Sequence, residues 1–262
     1  MGTDRLIHTV TTAETIKRDS VRPAGVCTPV VVHANEPVRW YQVVPGVRFF
    51  SFYTFAIVTI RIVATLGARW EIRGRENVPT EGGIIIVSNH LHFVDPPLIG
   101  ASLGRKIILM AKQELFQVPI VGWVVRHFDA FPVRRGEADR SAMRNALNGL
   151  KYGLAIGLFP EGTRSRDGVM RDAYPGAALI ALQSGRPILP VAIEGSETIW
   201  SNWKRLRRPT IRITYGQAFT MSFPRGTPDR LERATKEMMQ HVAALLPEWR
   251  QGQYGMNAVA PE

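Results

Sequence analysis

The chain is predicted to be an α/β protein, with a central mostly parallel or mixed sheet flanked by helices and a hydrophobic or amphipathic helical segment before it. Three observations predict this. After about Trp70, short apolar strands alternate with helical patterns, the order expected of a sheet wrapped by helices. Ile84, Ile85, Ile86 and Val87 form an unbroken β-branched run, the composition of a strand buried on both faces. The 262 residues suffice for one substantial core, and no internal repeat or long low-complexity linker divides them.

Residues 1–38 are largely polar, contain Pro23, Gly25 and Pro29, and begin without a basic-then-apolar signal pattern; a loosely ordered tail is expected. Residues 39–70 are expected to be a membrane-associated helical segment. Within it, residues 49–60 carry no charge and include four phenylalanines, and the apolar run resumes after Arg61. Twelve residues are too few to span a bilayer, which needs about 20, and an arginine at the centre of a longer span costs about 2.5–3.5 kcal/mol. A helix in the interface, with Arg48, Arg61 and Arg69 reaching to headgroups, fits better. Packing of the same helix on the rest of the protein is the alternative.

Residues 71–250 are expected to form one domain, and 251–262 a C-terminal tail. Ala142, Met143, Ala146, Leu147 and Leu150 recur at helical spacing on a helix begun near Glu137, which places Met143 in the core. Thr227-Pro228-Asp229 starts a last helix, whose apolar face is Leu231, Ala234, Met238, Val242 and Leu245.

The buried strand at Ile84 runs into Ser88-Asn89-His90, and Asp95 follows five residues after the histidine. The edge of a sheet is the usual place for chemistry in an α/β domain. A histidine there suits a general base, and a carboxylate suits its orienting partner. Asp95 before Pro96-Pro97 also reads as a helix start, with the carboxylate as N-cap.

A second segment, Leu154-Ala155-Ile156-Gly157-Leu158-Phe159-Pro160-Glu161-Gly162-Thr163-Arg164-Ser165, is a short strand ending in a glycine-containing turn. Arginine offers a planar fork of donors to phosphate or carboxylate, and Gly162 lets backbone amides approach a ligand. An anion-holding loop and an ordinary solvated turn both fit that composition.

Together the segments resemble the glycerolipid acyltransferase family typified by bacterial 1-acylglycerol-3-phosphate acyltransferase. Asn89-His90-Leu91-His92-Phe93-Val94-Asp95 matches its His-x4-Asp motif, and residues 159–165 match its FPEGTRS motif. Ala130-Phe131-Pro132-Val133-Arg134-Arg135-Gly136 resembles the second block, with Arg135 aligned to its arginine, and Ile188-Leu189-Pro190-Val191-Ala192 the fourth. His92 departs from the family, standing where many members carry a small polar residue.

The resemblance implies acyl transfer from acyl-CoA or acyl-carrier protein to a lysophospholipid hydroxyl, most specifically that of 1-acylglycerol 3-phosphate. It implies His90 as base and Asp95 as its partner, with Arg135, Glu161, Gly162, Thr163 and Arg164 binding the acceptor. Glu161 is expected to bond an acceptor hydroxyl or hold an arginine in place, since a carboxylate repels phosphate. Other lysolipid or glycolipid acceptors are the alternative within the class. The residues agree with direct transfer: Cys27 is the sole cysteine, far from the motifs, and no Gly-x-Ser-x-Gly elbow supplies a nucleophile.

Thirty-three Lys and Arg against 22 Asp and Glu give a net charge of +11, beside 45% hydrophobic residues. Such a chain is drawn to anionic lipid or to nucleic acid. No nucleic-acid-binding motif is present, whereas Trp200-Ser201-Asn202-Trp203-Lys204-Arg205-Leu206-Arg207-Arg208 has the composition of a membrane-interface belt. A membrane surface is therefore the expected partner, on the cytoplasmic face of the cell membrane, a setting that the single cysteine suits. No cofactor or metal is expected. A hydrolase metal site at His90, His92 and Asp95 is a weaker reading, because a catalytic metal usually needs three ligands held by further groups. A silent lipid-binding protein is a further alternative, against which the intact His90, Asp95, Glu161 and Arg164 argue.

Overall fold

A computed structural model describes residues 28–29, 50–134 and 139–255. Arg48, Arg135 and Glu137 lie outside the described residues, as does the expected tail over 1–38 apart from 28–29.

A two-residue strand β1 (Thr28–Pro29) precedes helix α1 (Phe50–Gly67) and strand β2 (Arg69–Arg73). Residues 39–49 of the expected helical segment lie outside the described residues, and at its other end the helix stops short of Trp70. Gly67 closes it, and Arg69 and Trp70 join the sheet.

Strand β3 (Ile84–Ser88) is buried at every residue. Its neighbours β6 (Ala155–Leu158) and β7 (Ile188–Glu194) run parallel to it on either side, Ile85 pairing with both Ile156 and Ile188. Beyond β6 come β4 (Ile107–Lys112) and β5 (Phe131–Val133), again parallel. On the other edge, β8 (Thr210–Tyr215) and the short β9 (Phe219–Thr220) pair antiparallel with β7, and β2 runs parallel to β8. Among the described residues the result is a mixed sheet of nine strands with a parallel centre.

The β-branched run of β3 divides by its period of two between the two faces. Ile85 and Val87 pack with α4 (Arg140–Lys151), α5 (Gly176–Ser184) and α7 (Arg230–Ala243); Ile84 and Ile86 pack with α2 (Asp95–Leu103) and the end of α1. The α4 helix begins at Arg140 because Asp139 caps it, accepting from the amides of Ser141 and Ala142 at 3.0 Å. On α7, Ala234, Met238 and Val242 are fully buried, as their spacing predicts.

The connections through α2 and through α3 (Pro119–His127) step across the sheet in one direction, and those through α4 and α5 step back. Right-handed crossovers therefore put α2 and α3 on one face and α4 and α5 on the other. Helix α1 joins the α2 face, as does α6 (Ile199–Trp203) through Ile199.

The expected tail from 251 instead packs on the domain as far as Tyr254. That tyrosine is buried, and its hydroxyl accepts the Ala173 amide at 2.9 Å.

Candidate active site

Strands β3 and β6 are neighbours, yet the chain leaves β3 for α2 on one face and β6 for α5 on the other. This reversal opens a crevice at their C-terminal ends, where ligands bind in open α/β sheets. Both sequence motifs begin there.

The first motif is fixed by Asn89, a residue that sequence reasoning gave no role. Its side-chain amide donates to the Ile193 carbonyl and its oxygen accepts the Ile193 amide, each at 2.9 Å, so it clamps the end of β3 to β7. The chain then turns, and Asp95 gathers the turn. Its Oδ2 lies 2.9 Å from His90 Nδ1 and accepts the amides of Leu91 at 2.6 Å and His92 at 2.7 Å.

Asp95 is fully buried, and its Oδ1 has no hydrogen-bond partner among the described residues. The expectation that the Asp95 carboxylate caps α2 is therefore corrected. A single oxygen serves the preceding turn and the imidazole, and Val94 occupies the cap position without a side-chain bond. Pro96 and Pro97 fill the first turn of α2, and since neither has an N–H the turn has fewer donors that need a cap acceptor.

The second motif packs beneath the first. The Phe159 ring lies 4.4 Å from the His90 ring, and the Ser165 amide donates to the His90 carbonyl at 2.7 Å. Glu161 completes the join: Oε1 accepts the His90 amide at 3.1 Å and Oε2 the Arg171 amide at 3.0 Å. Both oxygens thus serve the backbone, a role that the sequence did not suggest. Burial pushes the Glu161 carboxyl up to about 7, against the pull of those two amides. Gly162 has φ +63°, and a Cβ there would come within 2.7 Å of the Tyr174 ring, so the turn needs glycine.

Thr163 and Arg164 are exposed on this loop. Arg164 is near enough to help depress the His92 imidazole, though burial is the larger cause and Asp95 opposes both. His92 turns away from the His90–Asp95 bond, its ring 4.4 Å from Phe93 and 6.4 Å from Trp200. Of the two histidines, the one five residues before Asp95 makes the carboxylate contact. Among the described residues no three His, Cys, Asp or Glu side chains are grouped to hold a metal ion.

Among the described residues, clefts open beside the site on opposite faces of the sheet. One, of about 770 Å³, runs between α4 and α5 to Phe159 and Gly162, and is lined by Arg134, Arg140, Arg144, Met143 and Tyr174. Met143 is thus a cleft residue as well as a packing one. The i, i+4 spacing of Arg140 and Arg144 was the available signal for a basic helix face. The other cleft, of about 340 Å³, is almost wholly apolar and lies among α1, α2 and α6, with His92, Phe93 and Trp200 in its wall.

A buried imidazole with Nδ1 committed to a carboxylate keeps Nε2 for a substrate proton. Residues 69–194 match the Acyltransferase family model. Fold and site together thus define an acyltransferase, an enzyme that moves an acyl group. Over those residues the chain is similar to the glycerolipid acyltransferases.

Among its relatives, a 1-acyl-sn-glycerol-3-phosphate acyltransferase of Bacillus subtilis is 28% identical over 74% of this chain and 96% of the relative. A chloroplastic enzyme of the same name from Brassica napus is 31% identical over 49% of this chain, which spans only 38% of that relative. The crystal structure of the 1-acyl-sn-glycerophosphate acyltransferase PlsC from Thermotoga maritima shares the fold. It has a TM-score of 0.55 and 24% identity, and the match covers 76% of this chain and 83% of that one.

Proposed function

We propose that this enzyme transfers a fatty acyl group from acyl-CoA or acyl-carrier protein to the free hydroxyl of 1-acylglycerol 3-phosphate, giving phosphatidic acid. The names of its relatives support the acceptor. The observation that carries the chemistry is the buried His90–Asp95 pair, with an arginine-lined cleft ending at its neighbour Phe159 and an apolar cleft at its neighbour His92.

In this reading His90 Nε2 takes the acceptor hydroxyl proton as that oxygen attacks the thioester carbonyl. Asp95 holds the ring and stabilises the imidazolium. The tetrahedral intermediate then collapses, the carbon–sulfur bond breaks, and the thiolate leaves with the proton returned by His90. No acyl-enzyme is formed. A thioester is already activated, so a base worth about 10²–10⁴-fold, with positioning, carries much of what is needed.

Arg164, with Arg134, Arg140 and Arg144 along the larger cleft, supplies guanidinium forks for phosphate. Arg135 keeps the acceptor-binding role that the resemblance implies. Gly162 and Thr163 line the approach. Glu161 positions the His90 backbone.

The enzyme works at the cytoplasmic face of the cell membrane in this reading. Along α1, Phe55, Val58, Ile62, Val63 and Leu66 are exposed, and among the described residues no helix is long and apolar enough to cross a membrane. An interfacial helix accounts for both facts. The Trp200–Arg208 stretch supports it: Trp203 Nε1 donates to the Gly67 carbonyl at 2.9 Å, and Arg208 donates to the Ala68 carbonyl at 2.7 Å. The two segments read from the sequence as interfacial are therefore neighbours.

The test is an assay of purified protein with labelled acyl-CoA and acyl-carrier protein against a panel of lysolipid acceptors. Labelled phosphatidic acid is the expected product. No product from 1-acylglycerol 3-phosphate beside good turnover of another acceptor would overturn the acceptor and spare the reaction class.

A further inference from the structure

Helix α3 is out of keeping with a solvated surface. Of its nine residues only Gly122 is buried, although the segment is rich in large apolar side chains. Ile120 is 79% exposed, and Leu115, Val118, Val121, Trp123 and Val124 are exposed as well. Sequence reading gave this segment no role.

The distribution of such residues over the molecule is one-sided. Among the described residues, every exposed large aliphatic side chain lies on α1, on the 115–124 segment, or at Leu206 just after α6. None lies on α4, α5 or α7, whose outward positions include Arg144, Lys151, Glu232 and Lys236. Crossover handedness puts α3 on the sheet face that carries α1 and α6. A direct contact agrees: the rings of Tyr53 on α1 and Phe128 at the end of α3 lie 5.7 Å apart, edge to face. Exposed Arg126 and Lys112, the lysine paired with Glu114 at 3.0 Å, flank the α3 segment, and Lys204, Arg205 and Arg207 flank α6.

We infer that α3 is a second membrane-docking element, which lowers Ile120, Val121 and Val124 into an anionic bilayer beside α1 and α6. This rests on the membrane reading above and extends it to a segment with a different place in the chain. Charge complementarity selects the occupant: an apolar face rimmed by lysine and arginine, on a chain of net charge +11, matches the headgroup and acyl boundary of an anionic leaflet. Docking through three elements also fixes orientation. The apolar cleft, walled by α1, α2 and α6, then faces the lipid.

The experiment uses the full chain with Cys27→Ser, so that one introduced cysteine carries an environment-sensitive fluorophore. Labels are placed at Ile120→Cys on α3, Ile62→Cys on α1 and Lys236→Cys on α7. Addition of phosphatidylcholine–phosphatidylglycerol vesicles should shift emission to the blue at 120 and 62 and leave 236 unchanged. A shift at 62 without one at 120 overturns the α3 assignment and leaves the membrane reading standing. No shift at either, with no co-sedimentation, overturns both. Emission at 120 that is already blue before vesicles are added, and does not change with them, shows a face covered by protein and also overturns the assignment.

As a second arm, Ile120→Glu with Val124→Glu should weaken vesicle binding by about tenfold. Turnover of short-chain donor and acceptor without vesicles should be unchanged. Equal binding by that folded variant would count against the proposal.

Discussion

Glu161 Oε1 accepts the backbone amide of His90 at 3.1 Å, joining two residues 71 positions apart. A buried carboxylate thereby holds the main chain of the proposed base, while a different carboxylate, Asp95, holds its ring. The two motifs are one structure for this reason, and each can be perturbed separately.

Glu161→Gln keeps the shape but leaves one of the two backbone donors facing an amide NH₂. A buried donor without a partner costs about 1–3 kcal/mol. Acyl transfer should fall by about 10-fold or more through misplacement of His90. Steady-state kinetics beside thermal unfolding check this, and an unchanged rate would remove Glu161 as a positioning residue.

The same residue gives stability a pH dependence. With its carboxyl pushed up to about 7 from the usual 4.5, the folded protein holds that proton more firmly than the unfolded chain does. The contribution favours folding fully below about 4.5 and is lost as pH rises through about 7. Unfolding titrations across that window should show the wild type losing stability relative to Glu161→Gln as pH rises. Parallel curves would contradict the assignment.

Asp95→Asn isolates charge from shape. The asparagine oxygen can take the place of Oδ2 and keep its two backbone amides, with the NH₂ where Oδ1 now has no partner. Folding should change little. Turnover should fall by about 10²–10⁴-fold, because a neutral amide cannot stabilise an imidazolium as a carboxylate does. Full activity in this variant would show that Asp95 is only structural.

Asn89→Ala removes both bonds between β3 and the Ile193 peptide, leaving a buried amide and carbonyl to pair elsewhere. The expected loss is about 2–4 kcal/mol of stability. Denaturant unfolding measures it, and a loss below about 0.5 kcal/mol would mean that the clamp is dispensable.

How much of this was legible in the sequence follows from how local each feature is. The β3 run was readable because a strand buried on both faces needs four apolar residues in succession, and they are adjacent in the chain. His90 and Asp95 were readable because one turn brings them together. The role of Glu161 was not, since its partners are backbone amides 71 and 10 residues away, and backbone leaves no trace in composition. Asn89 was missed for the same reason, with Ile193 104 residues distant. Met143 was assigned to the core because helical spacing shows which residues share a face and not whether that face is filled. The apolar surface of α3 would pass for core in any sequence, and only the fold shows that it buries a glycine alone.

The most direct measurement is single-turnover transfer of a labelled acyl group from its thioester to 1-acylglycerol 3-phosphate by wild type and by folded His90→Ala. The wild type should form phosphatidic acid without labelled protein, and His90→Ala should be slower by about 10²–10⁴-fold, the usual worth of a general base. An undiminished rate in His90→Ala, or label trapped covalently on the enzyme, would contradict direct transfer with His90 as the base.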